Sequence, residues 1–325
     1  MATSSAARQM PHDEARCEFA RQILAGLTAS PKHIAPKYFY DSTGSELFER
    51  ITEQPEYYPT RIEIALLRQN ARKIVGLFPP GGALVEFGMG STTKARILLQ
   101  AATSLSAYVP VDISADHLRD EAKPLALDFP HLEILPVAAD FTQPFELPPS
   151  IRSQPRVGFF PGSTIGNFEP EEAILLLQRF AKVLGEGALL IVGVDLVKDP
   201  EVLDAAYNDA RGVTAAFNLN LLTRINHELG GNFDLRSFEH RAFYNRSRNR
   251  VEMHLVSLKP QRVRVNGKVI DFQAGETIHT ENSYKYSIES FHALARSAGS
   301  KPVAVWVDTQ KYFSIHMLAF EGEVR

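Results

Sequence analysis

From Leu84 to Leu99 the chain reads Leu-Val-Glu-Phe-Gly-Met-Gly-Ser-Thr-Thr-Lys-Ala-Arg-Ile-Leu-Leu, an apolar run that breaks on two glycines and resumes with helical spacing. Gly88 and Gly90 carry no Cβ, so the backbone there can turn sharply and let a ligand approach. Such a loop is suited to holding a cofactor. A dinucleotide fingerprint needs a third glycine, and Thr93 stands in its place, which weakens a pyrophosphate reading. Further along, Asp112 follows Glu86 by 26 positions, close to where doubly wound folds put the carboxylate that accepts from ribose hydroxyls. Asp140-Phe141 pairs a carboxylate with an aromatic ring, a combination able to bond an adenine amino group and stack its ring. Gly162-Ser-Thr-Ile-Gly-Asn167 is a glycine-flanked loop that presents an amide. The competing readings are plain: a strand-to-helix turn for the first glycine loop and a capping or turn aspartate for Asp112.

Other chemistries fit less well. His227-Glu228 lacks the second histidine of H-E-x-x-H, and Gly162 to Gly166 puts threonine where a nucleophile elbow needs serine. No metal site is expected. Cys17 is the only cysteine, which excludes an internal disulfide and fits a reducing compartment. A net charge of −3 offers no basic excess for tracking a phosphate backbone, so a small molecule is the expected partner and a nucleic acid is not. No apolar run reaches the length of a membrane span, and the N-terminus has no apolar signal core. A cytoplasmic monomer away from membranes is the expectation.

The elements that must position these residues alternate strand and helix from Ala83 onward, the mark of a parallel sheet covered on both faces. Strands are expected from Ala83, at Ala107–Ser114, Leu132–Ala138, Arg156–Pro161 and Gly187–Val197. Ser114 is placed to cap a helix. Before them stand a helix at Arg16–Leu27, two tyrosine-rich loop segments around Tyr40 and Tyr57, and a helix at Glu63–Leu77. After Asp199 the alternation stops. A helix over Pro200–Leu229 is followed by polar-alternating strands, with an Asn-Gly hairpin signal at Asn266-Gly267. A helix at Ile288–Ala298 and a terminal hairpin then return to the sheet. The expected organisation is a disordered tail over 1–15, a core over 61–198 and 287–325, and a second domain over 16–60 and 199–286.

Glu86-Phe-Gly-Met-Gly90 also resembles the turn with which class I methyltransferases seat the methionyl part of S-adenosylmethionine. Four further motifs narrow the resemblance. Tyr38-Phe-Tyr-Asp-Ser-Thr-Gly-Ser-Glu-Leu-Phe48, Pro55-Glu-Tyr-Tyr-Pro-Thr-Arg61, Gly162-Ser-Thr-Ile-Gly-Asn-Phe168 and Thr280-Glu-Asn-Ser-Tyr-Lys-Tyr286 resemble, in the same order, the L-histidine N-alpha-methyltransferases of ergothioneine biosynthesis. The resemblance implies an α/β fold, a Rossmann-like class I methyltransferase core with an inserted α+β substrate-binding domain. It implies S-adenosylmethionine as cofactor, and trimethylation of L-histidine to hercynine as the reaction. By motif, Tyr57, Asn167 and Tyr207 correspond to residues that hold the amino and carboxylate ends of the amino acid. Glu281 and Ser283 correspond to the pair on the imidazole. Tyr40 corresponds to the catalytic tyrosine beside the amino group, and Gly88, Lys94, Asp112, Asp140 and Phe141 to cofactor contacts. A related enzyme acting on another amine, such as a tryptophan derivative, is the alternative. Tyr58, next to Tyr57, competes for its role, and Leu219 stands where a more basic residue is expected.

Overall fold

The structure, a computed structural model, describes residues 12–320, and most of the tail expected over 1–15 lies outside them. The described chain divides into two compact units: one from Pro59–Val197 and 285–320, the other from 12–58 and Lys198–Tyr284.

Helix α1 (His12–Thr28) begins four residues before the expected Arg16. After it come strand β1 (Lys32–His33) and helix α2 (Ser42–Thr52). Helix α2 was expected as loop, because Ser-Thr-Gly-Ser reads as a turn. Asp41 makes it a helix by capping it, its carboxylate accepting from the Gly44 N–H at 2.7 Å. Helix α3 (Tyr58–Val75) also starts early, since Pro59 sits in its first turn, where a missing N–H costs nothing.

Next come β2 (Ala83–Phe87), α4 (Thr93–Ala101), β3 (Ala107–Asp112) and α5 (Ala115–Asp128). Ser114 caps α5 as expected, accepting from the His117 N–H. The expected strand Leu132–Ala138 is two short pieces, β4 (Glu133–Ile134) and β5 (Val137–Ala138), which both pair with β3 on either side of Pro136. Proline cannot donate to the ladder, so the strand breaks there. The core continues through β6 (Arg156–Phe160), α6 (Pro170–Leu184) and β7 (Leu189–Asp195).

The helix expected over Pro200–Leu229 is two: α7 (Pro200–Tyr207) and α8 (Val213–Leu229), parted where Gly212 takes a left-handed φ of 69°. Strands β8 (Phe238–Asn245), β9 (Arg250–Ser257), β10 (Gln261–Val265), β11 (Lys268–Phe272) and β12 (Thr277–Tyr284) follow. The β10–β11 hairpin turns on Asn266 and Gly267, both left-handed, as the Asn-Gly signal requires. Helix α9 (Ile288–Ser297) and the expected hairpin β13 (Ser300–Val307) and β14 (Phe313–Phe320) complete the chain.

In the first unit one sheet runs β13-β14-β7-β6-β2-β3-β4, with β5 also on β3. The strands from β7 to β3 are parallel, and the terminal hairpin joins antiparallel on β7. This is the expected doubly wound α/β class. Its core packs Leu66, Leu67 and Ile74 of α3, Leu98 and Leu99 of α4, and Phe313, Ile315 and Met317 of β14 around Leu84, Tyr108 and Phe159. The second unit holds a mixed sheet, β1-β12-β9-β8, with the β10–β11 ribbon beside it in sequence. Helix α8 packs on β8 and β9, where Asn218 donates to the His254 carbonyl at 3.0 Å.

Candidate functional site

In the first unit the strand order reverses between β2 and β6, and ligands in open α/β sheets bind outside the carboxyl ends of strands at such a point. The residues expected on the cofactor gather there. Gly88 follows β2 with a φ of 78°, and its N–H donates to the Val111 carbonyl at 2.8 Å. A Cβ at this position would meet the Phe141 ring at 3.3 Å, whereas one at Gly90 would meet nothing within 4 Å. The loop is therefore lined by an aromatic edge at its first glycine and open at its second. Phe141 is held edge-on by Phe160, with centroids 5.6 Å apart.

Asp112 closes β3 and accepts from the Ser114 N–H at 2.9 Å; burial raises its pKa, and that N–H works against the rise. Asp140 accepts from the Thr142 N–H at 2.9 Å. Both aspartates thus form the local turns that the plain reading requires, and both are half-buried at the ends of neighbouring strands. Lys94, in the first turn of α4, pairs with Glu63 at 2.6 Å. Glu63 is 1% exposed, and both its oxygens accept from the Gly162 N–H at 3.0 Å. One buried carboxylate therefore ties the α4 loop to the loop after β6. In that second loop Gly162 and Ser163 are left-handed in succession, at φ 80° and 59°. Ser163 is fixed there because its hydroxyl accepts from the Asp195 N–H at 2.9 Å. A non-glycine residue in this conformation costs on the order of 1 kcal/mol and marks a loop held for a purpose. Asn167 ends the short helical turn that follows; it is half-buried and its amide makes no hydrogen bond among the described residues.

The second unit brings the remaining residues into one aromatic series. Tyr40 lies against Phe48 and Phe217, with centroids 5.7 and 5.9 Å away. Phe48 meets Tyr57 at 6.3 Å, and Tyr57 meets Tyr207 at 6.3 Å. Tyr207, the last residue of α7, donates its hydroxyl to the Ser283 hydroxyl at 2.7 Å. Tyr58 takes a different partner, accepting from the Lys198 ammonium at 2.6 Å. On β12 the register shifts between His279 and Glu281. A bulge of this kind re-aims a side chain, and it leaves Glu281 half-buried two positions before Ser283.

Beyond the bulge, Glu252, His254 and His279 hold ligand-type atoms within 4.8 Å of one another. Their geometry is that of a packed polar ladder. The two imidazoles stack at 4.7 Å with 15° between planes, so their in-plane lone pairs do not converge on one point. The Glu252 carboxylate is engaged by Arg250 at 2.8 Å and His254 at 3.1 Å. Burial lowers the pKa of both histidines, disfavouring their charged forms.

Comparison with known proteins places the chain in a family. The family described as histidine-specific, SAM-dependent methyltransferases matches residues 19–320. The chain is 40% identical to a histidine N-alpha-methyltransferase of Mycolicibacterium smegmatis over 97% of its own length and 99% of the relative's. The chain belongs to this family. An ergothioneine biosynthesis protein of Neurospora crassa is 29% identical over 89% of this methyltransferase, which spans 33% of that longer protein. A 4-dimethylallyltryptophan N-methyltransferase of Claviceps purpurea is 30% identical over 57% of this chain and 58% of its own.

Several residues that build the site of this methyltransferase were missed from sequence. Glu63 falls in register with Leu67 and Ile74 on the buried stripe of α3, and a charge at an apolar position was the available signal. Glu86 fits the methyltransferase turn, yet it is 1% exposed and its carboxylate accepts from the Tyr108 hydroxyl inside the sheet. Phe48 and Phe217 space the tyrosines; Phe48 closes a motif that was read without a role for its last ring, and Phe217 was given none. Among the described residues no helix is long and apolar enough to cross a membrane.

Proposed function

We propose that this methyltransferase transfers methyl groups from S-adenosylmethionine to the α-amino nitrogen of L-histidine, three in succession, giving hercynine for ergothioneine biosynthesis. The observation that carries the substrate is Glu281 and Ser283, a carboxylate and a hydroxyl two positions apart on β12, with Ser283 tied to Tyr207. A neutral imidazole has one N–H donor and one acceptor nitrogen, and this pair answers both. An indole has a donor only and offers no acceptor nitrogen to the proton of the Ser283 hydroxyl. The full-length likeness to the M. smegmatis enzyme supports the same substrate.

The cofactor residues fit the group they are assigned. Gly88 leaves room for close approach, Phe141 offers a ring, and Asp112 and Asp140 present carboxylates at successive strand ends, with Lys94 held by Glu63 beside them. When bound, S-adenosylmethionine supplies an electrophilic methyl group on a sulfonium. Tyr57, Tyr207 and Asn167 hold the amino acid's amino and carboxylate ends, and Tyr40 fixes the direction of the amino nitrogen. Orientation of this kind is worth up to roughly 7–11 kcal/mol. A strong base is not required, because a free α-amino group with pKa about 7.7–8.0 has a useful neutral fraction near neutrality.

Glu281→Ala leaves the imidazole donor unpaired, and histidine binding weakens by roughly 1–3 kcal/mol while adenosylhomocysteine binding holds. Calorimetry with each ligand measures both. Unchanged histidine affinity in the variant removes Glu281 from the site.

A further inference from the structure

Helix α8 presents Phe217, Asn220 and Arg224 at spacing i, i+3, i+7, a single face. All three act on the four residues from Tyr38 to Asp41. Arg224 donates to the Tyr38 carbonyl at 2.9 Å, and its guanidinium is anchored by Glu228 at 2.8 Å. Asn220, 7% exposed, donates to the Asp41 carboxylate at 2.8 Å. The same Asp41 oxygen accepts from the Gly44 N–H and so also caps α2. Phe217 packs against the Tyr40 ring itself. Between these holds, Tyr40 has φ −91° and ψ 60°, with the Asp41 N–H donating to the Phe39 carbonyl at 3.1 Å. That is an inverse γ-turn, in which the central side chain points outward from a backbone of one defined shape. Gly44 completes it, since a Cβ there would lie 1.7 Å from the Phe39 carbonyl oxygen.

We infer that Asn220, with Arg224, is a positioning residue for methyl transfer: it holds Tyr40 in its γ-turn through Asp41 and thereby sets the direction of the amino nitrogen. The inference rests on the proposed role of Tyr40. It separates two jobs within the second unit, imidazole recognition on β12 and nitrogen alignment by the α8 face, so loss of Asn220 acts on kcat and leaves histidine binding in place.

The test is a swap. Asn220→Asp sets two carboxylates against each other and breaks the hold; adding Asp41→Asn restores one donor and one acceptor, the asparagine oxygen still capping Gly44 while its amide donates to the new aspartate. Asn220→Asp lowers kcat on the order of tenfold, as expected for a misaligned nucleophile, with histidine and adenosylhomocysteine affinities within about twofold of wild type. The double variant recovers most of kcat. Wild-type kcat in Asn220→Asp, or a double variant no better than the single, overturns the inference. Tyr40→Phe is measured alongside: if it changes neither kcat nor histidine affinity, the role of Tyr40 fails, and the positioning role of Asn220 falls with it even where Asn220→Asp is slow.

Discussion

Wild-type protein loses stability between pH 6.5 and pH 8 that a Glu86→Gln variant keeps. Burial pushes Glu86 up from 4.5 to about 8, against the opposing pull of the Tyr108 hydroxyl and Lys94. Across that range the folded protein holds a proton that the unfolded chain has released, so stability falls as pH rises, by about 1.4 kcal/mol per pH unit. The whole window from 4.5 to about 8 amounts to about 5 kcal/mol. Below 6.5 the buried histidines work the other way. His316, held down to about 3 by burial, must charge on unfolding, so its contribution grows with pH until 6.5. The upper part of the window, worth about 2 kcal/mol, belongs to Glu86 without that opposition. Glutamine keeps an acceptor for Tyr108 and has no proton to lose. Denaturant unfolding of both proteins at the two ends of this window measures it; parallel pH dependence in the two would remove Glu86 as the cause.

Lys285→Met destabilises the protein by about 3–5 kcal/mol, because it strands a buried charge. Lys285 and Asp195 pair at 2.7 Å and each is 1% exposed. Asp195 ends β7, and its carbonyl accepts from the Tyr286 N–H at 3.1 Å, while Val197 donates to the Tyr286 carbonyl. The pair therefore pins the chain where it returns to the core sheet, immediately after the strand that carries Glu281 and Ser283. Combining Lys285→Met with Asp195→Leu removes both charges and recovers much of the loss, since an apolar pair of similar size is often neutral in such places. Urea midpoints of the two single variants and the double decide the matter. A single variant as stable as wild type contradicts the stranded-charge argument.

What could be read in the sequence and what could not divides along physical lines. Strands β2, β3, β6 and β7 were legible because parallel strands covered on both faces are continuous apolar runs, and the Asn266-Gly267 turn because few residues accept left-handed φ. The motif from Thr280 to Tyr286 was legible as a unit but not in its parts: Ser283 takes the Tyr207 hydroxyl in the second unit, whereas Lys285 and Tyr286 bond Asp195 at the end of a core strand. Helix α2 was hidden in part because the Asp41 carboxylate that caps it is held by Asn220, 179 residues away. Separation in sequence also hid Glu63, whose partner Gly162 is 99 residues on. Pairings of that kind are set by the tertiary fold, and local residue patterns do not contain them.

In the proposed reaction the α-amino nitrogen of histidine is the methyl acceptor. The most direct measurement incubates the protein with S-adenosylmethionine and each proteinogenic amino acid, together with a tryptophan-derived amine, and follows products by mass spectrometry. Histidine alone should gain one, two and then three methyl groups, with the final product carrying all three on the α-nitrogen and the imidazole unmodified. Methylation of the tryptophan-derived amine in preference to histidine, or of an imidazole nitrogen, would contradict the account.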